Sequence, residues 1–172
     1  MTKGWLSLLI AMALLSGACG KKSQEEIIEK AVEKNSGGKA HVDLSKQKMT
    51  IETKEGGKVE IASGGEGLKV PADFPKDIYI YRGAKVEGSI KTGDAIQLTL
   101  QTVDADAKVA DEYKRQMKQT GWTEKTTAQM GGMTMLQYAK DQRSLMVHLS
   151  RDGKITRIML MMSTESRKQL DR

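Results

Sequence analysis

Cysteine, proline, histidine and aromatic side chains are all scarce in this chain. A single cysteine stands among 172 residues, so no disulfide can form within the molecule. With one Cys and two His there is no set of four zinc ligands, and neither His41 nor His148 has an H-x-H or H-x-x-x-H companion. Aromatics make up 4% of the residues and do not alternate with Lys or Arg, which argues against a base-stacking nucleic-acid surface despite a net charge of +6. Basic and acidic residues are also mixed, 28 against 22. No apolar run reaches the roughly 20 residues that a membrane-spanning helix needs. A G-x-S-x-G nucleophile elbow is missing. The glycines at Ser63 to Gly67 lack the strand before and helix after that a phosphate loop requires. Asp104, Asp106 and Asp111 are near one another in sequence, and capping of a helix explains the first two more simply than a calcium site. The expectation is a non-enzyme: no catalytic residue, metal or cofactor is assigned, and no nucleic-acid partner.

The one cysteine has a telling place. Lys3 precedes Trp5–Leu15, a mostly apolar run of signal-peptide length, and Ser16, Gly17 and Ala18 lead directly to Cys19. LLSGAC resembles the lipobox of bacterial lipoprotein signals, with Ser16 where an aliphatic residue is commoner. That resemblance implies cleavage between Ala18 and Cys19 and a thioether from the Cys19 sulfur to diacylglycerol. Two or three acyl chains such as palmitate make a stable anchor, because each buried CH₂ contributes about 0.8 kcal/mol and one chain alone is marginal. Gly20 and Lys21 lack the Asp that retains such proteins in an inner membrane. The expected location is therefore the outer membrane, facing the periplasm, if the source has two membranes.

Residues 1–18 thus read as the signal peptide and 19–38 as a lipidated tether. Ser23 and Glu26 have capping-box spacing, and Ile27, Ile28, Ala31 and Val32 recur at helical intervals until Asn35-Ser36-Gly37-Gly38. A helix of about a dozen residues is marginal alone, so this one either docks on the body or serves as a frayed spacer, the spacer being the favoured reading. Residues 39–67 read as a β-hairpin and loop, from the alternation in KMTIETK and KVEIA around Glu55-Gly56-Gly57, with AHVDL as a further short strand. Residues 68–163 form the main body and 164–172 a charged tail.

In the body, Pro71 and Pro75 hold a lead-in extended, and Phe74 plugs a core edge. Ile96, Leu98 and Leu100 alternate with Gln97, Thr99 and Gln101, as in a sheet with one covered face. Val109, Tyr113 and Met117 make a helical stripe from Asp106 to Thr120, stopped by Gly121, and Trp122 just beyond should fold back onto the same core. Strands around Leu145–Leu149 and Ile158–Met162 follow, joined at Asp152-Gly153. The expected fold is α+β, an antiparallel sheet with one main helix on one face in the order β-β-α-β-β-β-β, preceded by the small hairpin segment.

Methionine is the compositional oddity. Met159 and Met161 point away from Ile158, Leu160 and Met162, so IMLMM is apolar on both faces. Met159, Met161 and Met146 are the candidate apolar contact patch, since methionine suits adaptable surfaces. A strand buried on both sides reads equally from the same letters.

The stretch VPADFPKDIYIYRGAKV, with Pro71, Phe74, Pro75, Asp77, Tyr81, Gly83 and Ala84, resembles the body of a loose group of uncharacterised bacterial envelope lipoproteins. So does a helix that carries Tyr113 and ends in Gly121-Trp122. The resemblance covers Pro71 to Ser163 and implies a fold, with no catalytic residue to carry over. The expected function is a non-catalytic binding or scaffolding module that meets an unidentified envelope protein. The alternative is a binder of a lipid or other small apolar ligand between sheet and helix, and an envelope hydrolase ranks last.

Overall fold

A computed structural model describes residues 21–53, 57–64 and 68–164. Its elements are α1 (Lys21–Ser36), β1 (Lys39–Asp43), β2 (Lys48–Glu52), β3 (Lys58–Ser63), β4 (Lys85–Thr92) and β5 (Ala95–Thr102). After these come α2 (Asp106–Gln119), β6 (Thr123–Met130), β7 (Met133–Lys140), β8 (Arg143–Asp152) and β9 (Ile155–Thr164). All nine strands join one antiparallel sheet in the order β1-β2-β3-β4-β5-β9-β8-β7-β6.

The expected β-β-α-β-β-β-β order is present as β4 to β9, but the sheet is larger than that pattern. The hairpin segment has three strands, and β3 pairs with β4 from Val59↔Thr92 to Ser63↔Gly88. The sequence left open whether this segment joins the sheet; it is an extension of the same sheet, and it satisfies the backbone edge that β4 would otherwise expose.

Alternation puts Leu98, Leu100, Leu136, Val147, Leu149, Ile158 and Leu160 on one face, all fully buried. We call this the helical face. α2 crosses it between β5 and β6, seating Val109, Tyr113 and Met117 at 0% exposure. Phe74, Ile78 and Tyr81 of the lead-in close the same core. Tyr79, Tyr81 and Tyr113 pack ring against ring, with Tyr79 edge-on to Tyr113 at 5.5 Å.

Capping of α2 differs from expectation. Its N-cap is Ala105, without a side-chain hydrogen bond, so neither Asp104 nor Asp106 serves as the cap. The Asp104 carboxylate instead accepts the Tyr81 hydroxyl at 2.7 Å and Lys108 Nζ at 2.9 Å, and still lends negative charge to the helix start. Burial and that carboxylate together push the Tyr81 phenol up to about 12. At the other end Gly121 takes φ +82, the left-handed turn that a helix stop demands.

Trp122 then folds back onto the core at 3% exposure, its indole N–H donating to the Asp77 carbonyl at 3.1 Å. Arg143 lies 5.0 Å over the indole ring and donates twice to the Asp77 carboxylate, at 2.9 and 2.7 Å. Lys140 adds a third bond at 2.8 Å and also donates to the Thr120 carbonyl at 2.8 Å. These groups tie the lead-in, the end of α2 and the β7–β8 turn into one joint. Arg143, with Lys140 beside it, holds the Asp77 carboxyl well below the usual carboxylate range.

α1 also departs from expectation. It starts at Lys21, which places Ser23 and Glu26 inside the helix, so they form no capping box. Nor is it a loose spacer: it docks along the outer edge of β1. The backbone N–H groups of Leu44, Val42 and Ala40 donate to the carboxylates of Glu25, Glu29 and Glu33 at 2.9, 2.7 and 3.1 Å. The match is metric, because four helical residues rise about 6 Å and two strand residues about 6.6 Å. A helix face thereby satisfies an edge that would otherwise wait for another strand.

Among the described residues two buried hydroxyls have no hydrogen-bond partner, those of Tyr113 and Tyr138. Tyr138 is 1% exposed, and burial pushes its phenol above the normal range. Tyr138→Phe removes a desolvated group and leaves the ring. The expected result in urea denaturation is an unchanged or higher midpoint, with a gain of up to about 1 kcal/mol. A loss above that would show that the hydroxyl is satisfied after all.

Candidate functional site

The side of the sheet away from α2 carries the other half of the alternation. Met146 pairs with Met161 across β8 and β9, His148 pairs with Met159, and Thr99 of β5 faces Met159 from the other side. The three methionines of the candidate patch are therefore neighbours on one face, each half-buried. The same rows continue through Gln97 to Ile90, Ile61, Met49 and Val42. Both α2 and the core residues of the lead-in lie on the helical face, so this open face is covered by neither.

A groove of about 330 Å³ runs along it, walled by Ile90, Gln97, Met146 and Met161. Ser144 and Ser163, hydrogen-bonded to each other at 2.8 Å, stand in the groove as its small polar groups. Met159 shares the face but lies beside His148, outside the groove lining. The strand is thus neither buried on both sides nor fully bare.

Between α2 and the sheet the side chains interlock at 0% exposure, and neither groove described here opens there. The apolar groove is on the open face and not in the helix–sheet layer, where the sequence placed the room for a ligand. The physical reason is Tyr113 with Met117, whose bulk fills that layer.

A second cleft, about 660 Å³, opens where the β1–β2 turn, β3, β4 and the lead-in meet. Four lysines line it, Lys46, Lys48, Lys69 and Lys91, against two acids, Glu60 and Asp73. Glu60 is shared by Lys58 at 2.7 Å and Lys48 at 3.1 Å, which hold its carboxyl down to about 2. Asp73 pairs with Lys91. No sequence motif announced this cleft, since its lysines come from separate segments and each alone reads as a solvated surface charge.

His41 is on the surface, with Nδ1 3.2 Å from Glu29. Among the described residues no group of three His, Cys, Asp or Glu could hold a metal ion, and no helix is long and apolar enough to cross a membrane. Ala18 and Cys19, the expected cleavage and lipidation site, lie outside the described residues.

Residues 85–166, from β4 through β9, match a family model described as START domain-like. No curated protein and no solved structure matches the chain.

Proposed function

We propose that this chain is a lipid-anchored, non-catalytic binding module of the bacterial cell envelope that holds an apolar chain, such as a fatty-acyl tail, on the open face of its sheet. Acylated Cys19 is the anchor, and the outer membrane, facing the periplasm, is the location if there are two membranes.

The observation that carries the reading is the groove between Ile90, Met146 and Met161, a concave apolar site of ligand size on the uncovered face. Methionine side chains rearrange at little cost around a ligand of variable shape. The Ser144 and Ser163 hydroxyls offer the polar contacts for a ligand's head. The START-domain-like match over residues 85–166 supports a ligand-binding domain of this kind, since such domains are generally binding modules.

The test is titration of the folded protein with a fluorescent long-chain fatty acid. Saturable binding is expected, and Met161→Asp or Met146→Asp should weaken it by at least about tenfold, because either puts a carboxylate among apolar walls. Met130→Asp, at 73% exposure and away from the groove, should leave affinity unchanged. Absence of saturable binding, or equal affinity in Met161→Asp, removes the reading. A protein partner is the second reading, favoured by one observation: Met135 and Met133, 36% and 44% exposed, carry apolar surface towards the edge strand β6, whose outer side pairs with no strand among the described residues.

A further inference from the structure

The lysine-lined cleft is placed beside the membrane anchor by a single backbone contact. Leu44 begins the β1–β2 turn, and its N–H donates to Glu25 in the first turns of α1 at 2.9 Å. That bond pins the turn carrying Ser45, Lys46 and Gln47, which form one wall of the cleft, against the start of the helix. α1 begins at Lys21, two residues after Cys19. Two extended residues, one helical turn and a side chain put the turn on the order of 20 Å from the acyl attachment at most. This placement rests on the lipid-anchor reading of Cys19.

The charge in the cleft is unequally spent. Lys91 is held by Asp73, and Lys48 shares Glu60 with Lys58. Lys46 is 77% exposed beyond its contact with Asp43, and the exposed Lys69 has no carboxylate partner among the described residues. Among these charges the lining also holds apolar side chains, Ala62, Leu68, Pro71 and Ala72, next to the polar Ser45 and Ser89. Cations set beside apolar side chains fit an anionic group joined to hydrocarbon.

We propose that this cleft contacts the phosphate headgroups of anionic lipids in the membrane that holds the anchor, with Lys46 and Lys69 as the principal cations. The contact fixes how the body stands on the bilayer, and it turns the open-face groove to a constant angle from the surface. Charges that near an anionic surface act within a Debye length of about 8 Å at physiological salt.

The full-length acylated protein, reconstituted in phosphatidylcholine vesicles with or without phosphatidylglycerol, tests this through amine labelling of each lysine read by mass spectrometry. Lys46 and Lys69 should label about fivefold more slowly on the anionic vesicles, and high salt should erase the difference. Lys118, in the last turn of α2, and Lys125, on the opposite edge strand β6, should be unchanged. Lys46→Glu with Lys69→Glu should abolish any added protection of Lys48. Equal labelling on both vesicles, or equal slowing of every lysine, overturns the proposal. So does the same protection from inorganic phosphate added to phosphatidylcholine vesicles, which would make a free anion the ligand. Failure of the anchor shows separately, as protein that does not float with neutral vesicles. Flotation on anionic vesicles alone would then keep the headgroup contact and remove the anchor, whereas flotation on neither removes both.

Discussion

Cys19→Ser should abolish fatty-acid labelling of the protein and remove the processed form from the membrane fraction, leaving an unprocessed or soluble chain. The size of the effect follows from the chemistry. A serine hydroxyl is a far weaker nucleophile than a thiol, so the thioether does not form. An anchor of two or three acyl chains, at about 0.8 kcal/mol per buried CH₂, is then lost entire rather than weakened. No described helix offers a second route into a bilayer. The measurement is fractionation with a labelled fatty acid fed to the producing cells. A Cys19→Ser protein that is still labelled, processed and membrane-bound overturns the anchor and, with it, the proposed orientation.

The second large effect is at Trp122. Trp122→Ala should destabilise the body by about 3–5 kcal/mol, a large part of the 5–15 kcal/mol typical of whole domains. The ring is 3% exposed, its N–H satisfies the Asp77 carbonyl, and Arg143 covers its face. Removing it opens a cavity beneath the Asp77–Arg143–Lys140 joint and frees the lead-in that carries Phe74 and Ile78 into the core. Trp122→Phe keeps most of the packing and should cost about 1–2 kcal/mol, chiefly through the unsatisfied carbonyl. Thermal and urea denaturation followed by circular dichroism reads both. An alanine variant that unfolds at the parental midpoint would show that the joint holds nothing.

Trp122 also shows how far sequence reasoning reaches. Gly121-Trp122 after an i, i+4, i+8 stripe announced a helix stop and a core aromatic, and both are where the pattern put them. Alternation also sorted Ile158, Leu160 and Met162 from Met159 and Met161, so the open-face methionines could be named in advance. These are local signals, each contained in a dozen residues. The join of β3 to β4 was not legible, because the intervening lead-in separates the two strands and nothing in either names its partner. The role of Glu25, Glu29 and Glu33 was not legible either. Their four-residue spacing beside a strand was the available clue, and its use depends on a match of rises that only the folded pair displays. Asp104 misled for the opposite reason. A capping residue was expected where tertiary partners, Tyr81 and Lys108, claim the carboxylate. The lysine cleft was invisible to any window, being assembled from four stretches of chain.

The place of β9 has a consequence for the order in which the molecule can be made. β9 is the last of the described strands in chain order, yet it lies in the interior of the sheet between β5 and β8. A chain that emerges N-terminus first has β4, β5 and α2 outside well before Ile158 and Leu160 arrive. Until they do, Leu98 and Leu100 lack their neighbours on β9, and β8 has no partner on one side. The closing contacts join segments far apart in sequence, which makes them slow to form and leaves apolar edges bare in the interval. A chain still emerging is therefore most exposed to proteolysis and to misassociation just before β9 is out, and truncation behind Ile155 should leave no folded body at all.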